Sequence, residues 1–190
     1  MWWRDVVKVD VLRLGHRIIR DQRITTHIGL VARAFGANSM IFCGQRDEGV
    51  IDTINKVKGD WGGVFGVRYG GKNWEKIIRD WKQEKEGKVI HLTMYGEPLP
   101  EIVNILRRIF NESDFLVVIG GEKVPKRLYK MADFNVSITN QPHSEIAALA
   151  VFLDHLFQGS ELKKEFENAK IKVKPSSDKK IVKKNDILFI

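Results

Sequence analysis

A chain of 190 residues, 43% of them hydrophobic, can bury one sizeable core without covalent staples, and its lone cysteine, Cys43, excludes a disulfide framework. The charged N-terminus "MWWRDVVKVD" lacks an apolar signal core, and no stretch approaches the roughly 18 apolar residues of a spanning helix. The expected setting is cytoplasmic and reducing, with no membrane role, and the net charge of +8 directs attention to an anionic partner.

Strand-like and helical patterns alternate along most of the chain. "VDVLRL" reads as a strand, "GHRIIRDQR" as a loop and "TTHIGLVARAFG" as a helix. "SMIFCG", "GVIDTINKVK", "GGVFGVRYG" and "NWEKIIRDWKQE" continue the alternation, with the glycines of the third segment read as structural. "KVIHLTMY", "LPEIVNILRRIF", "DFLVVIG", "PKRLYKMA", "DFNVSIT" and "HSEIAALAVFLDHLF" complete it. About six such alternations predict an α/β fold with a mostly parallel sheet and helices on both faces. The expected boundary of this domain is residues 1–159. After Gly159 a charged helix, "ELKKEFENAK", and two β-like segments about a Pro-Ser-Ser-Asp turn predict a basic extension over 160–190, a short helix and a hairpin.

The charge is not spread evenly. Residues 1–40 hold seven Lys+Arg and three Asp, residues 160–190 hold nine Lys and five Asp+Glu, and the middle is neutral. The lysine-rich tail reads equally as a solvated surface. The N-terminal excess is arginine-rich, which suits phosphate recognition, and nucleic acid is the expected partner.

Ligands of parallel α/β sheets bind where loops leave the carboxyl ends of strands. No G-x-G-x-x-G follows the first strand and no G-x-x-x-x-G-K-[ST] occurs, so neither a Rossmann dinucleotide site nor a P-loop is indicated. Three loops remain: "HLTMYGEP", "VVIGGEKVP" and "ITNQPHSE". Each carries small or kinking residues that bring bare backbone close to a ligand. Capping of the last helix accounts for Ser144 but not for Gln141 and His143 as well.

The series "TTHIGLVARAFGA", "LVVIGGEKVP" and "NVSITNQPHSEIAALAVFLDHL", supported by "VLRLGHRIIRDQRITTH" and "HLTMYG", resembles the three motifs of the SPOUT class of RNA methyltransferases over about residues 9–160. The variant is similar to the archaeal-type tRNA ribose 2′-O-methyltransferases that modify cytidine 56 in the T-loop. The resemblance implies a C-terminal trefoil knot, S-adenosylmethionine as cofactor, no metal, tRNA as substrate and a homodimer with cofactor pockets near the subunit interface. It implies a cofactor site formed by Leu92, Thr93 and Met94, by Gly120, Gly121, Glu122, Lys123 and Val124, and by Ile138, Thr139, Asn140, Gln141, Pro142, His143, Ser144 and Glu145. The broader ribose methyltransferase group has an Asn and a Ser where this chain has "QPHSE", so individual roles do not carry over there.

Arg33 matches the motif-one arginine, six residues after His27, where relatives have an Asn. It is the expected catalytic residue, acting on the ribose held by the partner subunit. A guanidinium stays protonated, so its role would be to stabilise a developing alkoxide or hold the adjacent phosphate; a surface ion pair is the other reading. Arg20, Arg23 and His27 are the expected RNA contacts. Other activities compatible with the sequence are a non-catalytic or differently targeted knotted RNA-binding protein and an unknotted α/β enzyme acting on a small molecule.

Overall fold

The computed structural model describes residues 7–121, 124–184 and 187–189. Strands β1 (Val9–His16), β2 (Ser39–Gly44), β3 (Gly66–Tyr69), β4 (Lys88–Pro98), β5 (Phe115–Gly120) and β6 (Phe134–Ser137) form one sheet in the order β3-β2-β1-β5-β4-β6. Every pairing is parallel. The crossovers are α1 (Ile18–Ala34), α2 (Glu48–Trp61), α3 (Trp74–Lys85), α4 (Leu99–Phe110) and α5 (Lys126–Met131), and α6 (Glu145–Phe157) follows the last strand.

The central strands are apolar throughout because both faces are covered. On β5, Phe115, Val117 and Ile119 join one core while Leu116 and Val118 join the other. The first core takes Ile28, Ile54, Leu106 and Phe152 from α1, α2, α4 and α6. The second takes Ile78 and Trp81 from α3 and Leu128 from α5. Four helices therefore cover one face and two the other, as the alternating sequence predicts in outline.

Two boundaries differ from the sequence reading. Residues expected as a loop before α1 are helical from Ile18. Asp21, in the first turn, accepts from the Arg17 backbone N–H at 3.1 Å and from Arg17 Nε at 2.8 Å, while Ile18 N donates to Gln45 Oε1 at 2.8 Å. Those side chains satisfy helix-start donors that water would otherwise take. Arg20 and Arg23 consequently sit on a helix. The helix expected over 161–170 shrinks to one 3₁₀ turn, Ser160–Lys163. Beyond it Gly63 N donates to Glu167 O at 2.8 Å and Lys170 N to Asp60 O at 3.0 Å, so the segment is drawn straight along the end of α2.

The expected hairpin is present as β7 (Ile171–Lys174) and β8 (Ile181–Lys184), and β9 (Ile187–Phe189) adds a third antiparallel strand.

His91 is fully buried on β4. Its Nδ1–H donates to Asn135 Oδ1 at 2.9 Å, while Nε2 has no partner among the described residues. Desolvation lowers its pKa below the ordinary 6.5, against a smaller opposing effect of Asn135. A second buried histidine, His16, is lowered chiefly by burial too, with Asp47 opposing. A folded pKa below the unfolded one means that the unfolded chain binds more protons, so stability is present above about pH 6.5 and lost as the pH falls. Urea unfolding at about pH 7 and about pH 5 should show that loss, at up to roughly 1.4 kcal/mol per pH unit for each histidine within its window. The His91→Gln variant should lose less on acidification than the wild type; an identical loss would remove His91 from the effect.

Candidate functional site

Parallel pairing places the carboxyl ends of all six strands on one edge. There the three loops singled out in the sequence meet. Leu92, Thr93 and Met94, then Gly120, Gly121 and Val124, then Ile138, Pro142, His143 and Glu145 line a common cavity of about 300 Å³. Asn140 acts from behind it, donating through Nδ2 to Met94 O at 2.7 Å and so tying the third loop to the first. Ser144 is the N-cap of α6, its Oγ accepting from Ile146 N at 3.1 Å. Thr139 and Gln141 are exposed on the same loop, and Glu122 and Lys123 lie outside the described residues. Sequence reading missed Tyr129, which also lines the cavity and whose hydroxyl lies 2.9 Å from Thr93 Oγ1. Its place on α5, immediately after the glycine loop, was the available signal.

The first loop owes its shape to an interruption in β4. Leu92 pairs with Val136, the next four residues leave the ladder, and Glu97 pairs with Val136 again. At Gly96 a Cβ would lie 2.5 Å from the backbone of Asn135, a separation real Cβ atoms essentially never show. Only glycine permits the chain to return there.

The glycine pair of β5 divides into two roles. A Cβ on Gly120 would run into Val124 Cγ1, whereas one on Gly121 would meet only the Arg13 guanidinium, at 3.7 and 3.8 Å, an ordinary contact. Gly120 therefore serves loop packing. Gly121 is exposed and leaves backbone bare toward the cavity.

Arg13, 1% exposed, lies beneath this loop. It donates to Leu14 O and pairs with Glu145 Oε1 at 3.2 Å, and Nε has no partner among the described residues. Burial lowers its pKa, and the Glu145 charge opposes that shift. Nothing in the residue pattern announced this pair, since a buried arginine inside an apolar strand carries no motif.

A second cavity, of about 540 Å³, opens on the other side of the same wall and shares Gly120, Gly121 and Val124 with the first. Gly15 and His16 at the end of β1, Gln45 after β2, Lys72 after β3 and Trp74 at the start of α3 contribute to it. His16 has Nδ1 2.8 Å from Thr25 Oγ1 and Nε2 3.4 Å from Asp47 Oδ2, so both nitrogens face protein. Cys43 lines the cavity as well, its thiol raised by burial to about 11.

Arg20, Arg23 and His27 are exposed on α1, spaced so that they fall on one face. Arg33, expected to act on the ribose held by a partner subunit, stands apart from the crevice of its own chain. It is 7% exposed at the C-terminal end of α1, donates through Nη2 to Trp61 O at 2.9 Å and Gly62 O at 2.6 Å, and stacks 4.5 Å from the Phe166 ring centroid. Parallel strands separated by a crossover helix send that end back to the amino edge of the sheet, where Asn38 N donates to Val9 O. The length of β1, eight residues or about 23 Å at 3.3 Å per step, separates the two edges. Arg33 is thus occupied as a brace between α1, α2 and the C-terminal segment.

The arrangement has a counterpart among solved structures. The SpoU methyltransferase AviRb from Streptomyces viridochromogenes, solved in complex with AdoMet, superposes with a TM-score of 0.56 over 82% of this chain and 59% of that one, at 17% identity. The fold is that of the SpoU methyltransferases. Residues 61–183 match the family described as tRNA ribose 2′-O-methyltransferase, aTrm56. The tRNA (cytidine(56)-2′-O)-methyltransferase of Methanocaldococcus jannaschii is 53% identical over 174 residues, covering 92% of this chain and 95% of its own. That of Methanopyrus kandleri is 49% identical with the same coverage. The chain belongs to the aTrm56 family of tRNA ribose 2′-O-methyltransferases.

The Arg13–Glu145 pair can be tested on stability. Glu145→Gln leaves the buried guanidinium without its counter-charge and should lower the unfolding free energy by about 2 kcal/mol. Adding Arg13→Met should recover part of that loss in a double-mutant cycle. Strict additivity of the two changes would show that the pair is not coupled.

Proposed function

We propose that the protein transfers a methyl group from S-adenosylmethionine to the ribose 2′-oxygen of cytidine 56 in tRNA. The observation that carries this reading is the convergence of the three motif loops on one crevice in a chain of this family. Bare backbone at Gly121, apolar walls from Leu92 and Ile138 and the Glu145 carboxylate suit a ligand with a flat heterocycle and a positive charge. When bound, the cofactor supplies an activated methyl on a sulfonium. The protein then orients the two reactants, excludes water and places negative charge near the cation, while the 2′ proton leaves as the new bond forms. Positioning of this kind is worth on the order of 7 to 11 kcal/mol.

The dimer, the knot and the basic extension over 160–190 belong to the same proposal. Exposed Ile18 and Ile19 on α1 and Val151 on α6 support the first, since an apolar face without cover favours a second copy. The close backbone crossing at Gly96 and Asn135 is what a tightly threaded chain requires. The arginine face of α1 is the proposed tRNA contact.

Incubation with labelled S-adenosylmethionine and unmodified tRNA, followed by mapping, should place the methyl on the ribose of cytidine 56; a methylated base or another position would overturn the reading. Gly121→Val should stay close to the wild-type melting temperature, because the added Cβ meets the Arg13 guanidinium at ordinary contact distance on an exposed residue, yet lose cofactor affinity in calorimetry. Unchanged affinity would confine the glycine to the turn.

Salt dependence tests the arginine face separately. Replacing Arg20 and Arg23 with Ala should flatten the slope of log affinity for tRNA against log salt by about one unit per lost phosphate contact. A wild-type slope would return both residues to ordinary surface.

A further inference from the structure

We infer that the second cavity receives the nucleotide to be methylated, with Trp74 as the platform for its base and Lys72 as a contact to its phosphate. The inference rests on the methyltransferase reading and assigns the acceptor side of that site.

Two bound reactants must meet with little between them, since reacting atoms have to come within about 3 to 3.5 Å. The two cavities share Gly120, Gly121 and Val124, and the glycine pair itself places no side chain between them. The larger volume, about 540 Å³, falls within the range typical of small-ligand sites.

The chemistry left on the cavity wall narrows the ligand. Most of its polar groups are already used within the protein. Gly44 O accepts from Tyr69 Oη at 2.8 Å, Gly44 N donates to Gly71 O at 3.1 Å, Gln45 Oε1 accepts from Ile18 N at 2.8 Å and His16 faces Thr25 and Asp47. Arg17, also on the wall, is paired through Nε with Asp21 Oδ2 at 2.8 Å, and beside it stand a half-buried indole and an exposed ammonium, two residues apart at the start of α3. A flat aromatic face beside a cation is the combination that holds an unstacked base and its phosphate. The exposed arginines of α1 begin just beyond Gly15 and His16, the end of β1 that forms another wall of the cavity, so a polyanion can continue onto them.

The test is steady-state methylation of tRNA at saturating S-adenosylmethionine, with cofactor affinity measured in parallel by calorimetry. Trp74→Ala should raise KM for tRNA about tenfold, the scale of one lost base stack, while Trp74→Phe stays near wild type. Lys72→Ala, an exposed change that spares the core, should raise KM and flatten the salt slope by about one unit, with Lys72→Arg restoring both. Cofactor affinity should not move in any of them. Wild-type tRNA kinetics in Lys72→Ala and Trp74→Ala would overturn the assignment while leaving the methyltransferase reading intact. Weakened cofactor binding with normal tRNA kinetics would give the cavity to the cofactor and overturn it equally. Failure of the wild type to methylate tRNA at all would instead strike the underlying reading and take the assignment with it.

Discussion

Val136 is paired twice, and much of the site follows from that. A strand that meets the same neighbour at Leu92 and again at Glu97 must send the residues between them out of the sheet. The excursion puts Thr93, Met94 and Tyr95 against the loops after β5 and β6, and it needs Gly96 to lie flat on the Asn135 peptide. Asn140 then fastens the tip by donating to Met94 O. The crevice is therefore shaped largely by backbone crossing backbone. Side chains such as Tyr129 on Thr93 and Arg13 under Gly121 brace a form that main-chain packing sets.

The architecture was legible in the sequence because every element carried a local cue. Continuous apolar runs such as "FLVVIG" mark strands covered on both faces, and the two cores confirm it residue by residue. The misreadings have equally local causes. The start of α1 lacks an N-cap side chain at Arg17; Asp21 and Gln45 take that role, one of them from a different loop. The segment "ELKKEFENAK" has helix-forming composition, but its backbone is claimed by Gly63 and Asp60, which lie a hundred residues away in sequence. Propensity loses to tertiary pairing in both places.

The site was half legible. Loops that end strands with glycine or kinked polar runs announced the first crevice, and ten of the described residues expected there line it, Glu145 and Val124 among them. The second cavity went unseen because its walls come from ordinary strand ends: Lys72 and Trp74 follow a segment whose glycines read as structural. The surroundings of Arg33 were unseen for a different reason. A motif fixes spacing along a helix but not which end of the sheet that helix end reaches, and six residues past His27 the chain has already travelled about 9 Å away. Its carbonyl partners on α2 and its stack on Phe166 could not be guessed from either neighbourhood alone.

Cys43, the only thiol in the chain, lines the second cavity with its ionisation pushed to about 11. At neutral pH about one molecule in ten thousand carries the reactive thiolate, so alkylating and oxidising reagents find almost nothing to attack. The folded protein is in effect chemically silent toward sulfur-directed probes. A modification rate that climbs with denaturant would therefore mark exposure of the β2 end, and a single built-in atom becomes a gauge of how firmly the cavity wall is held.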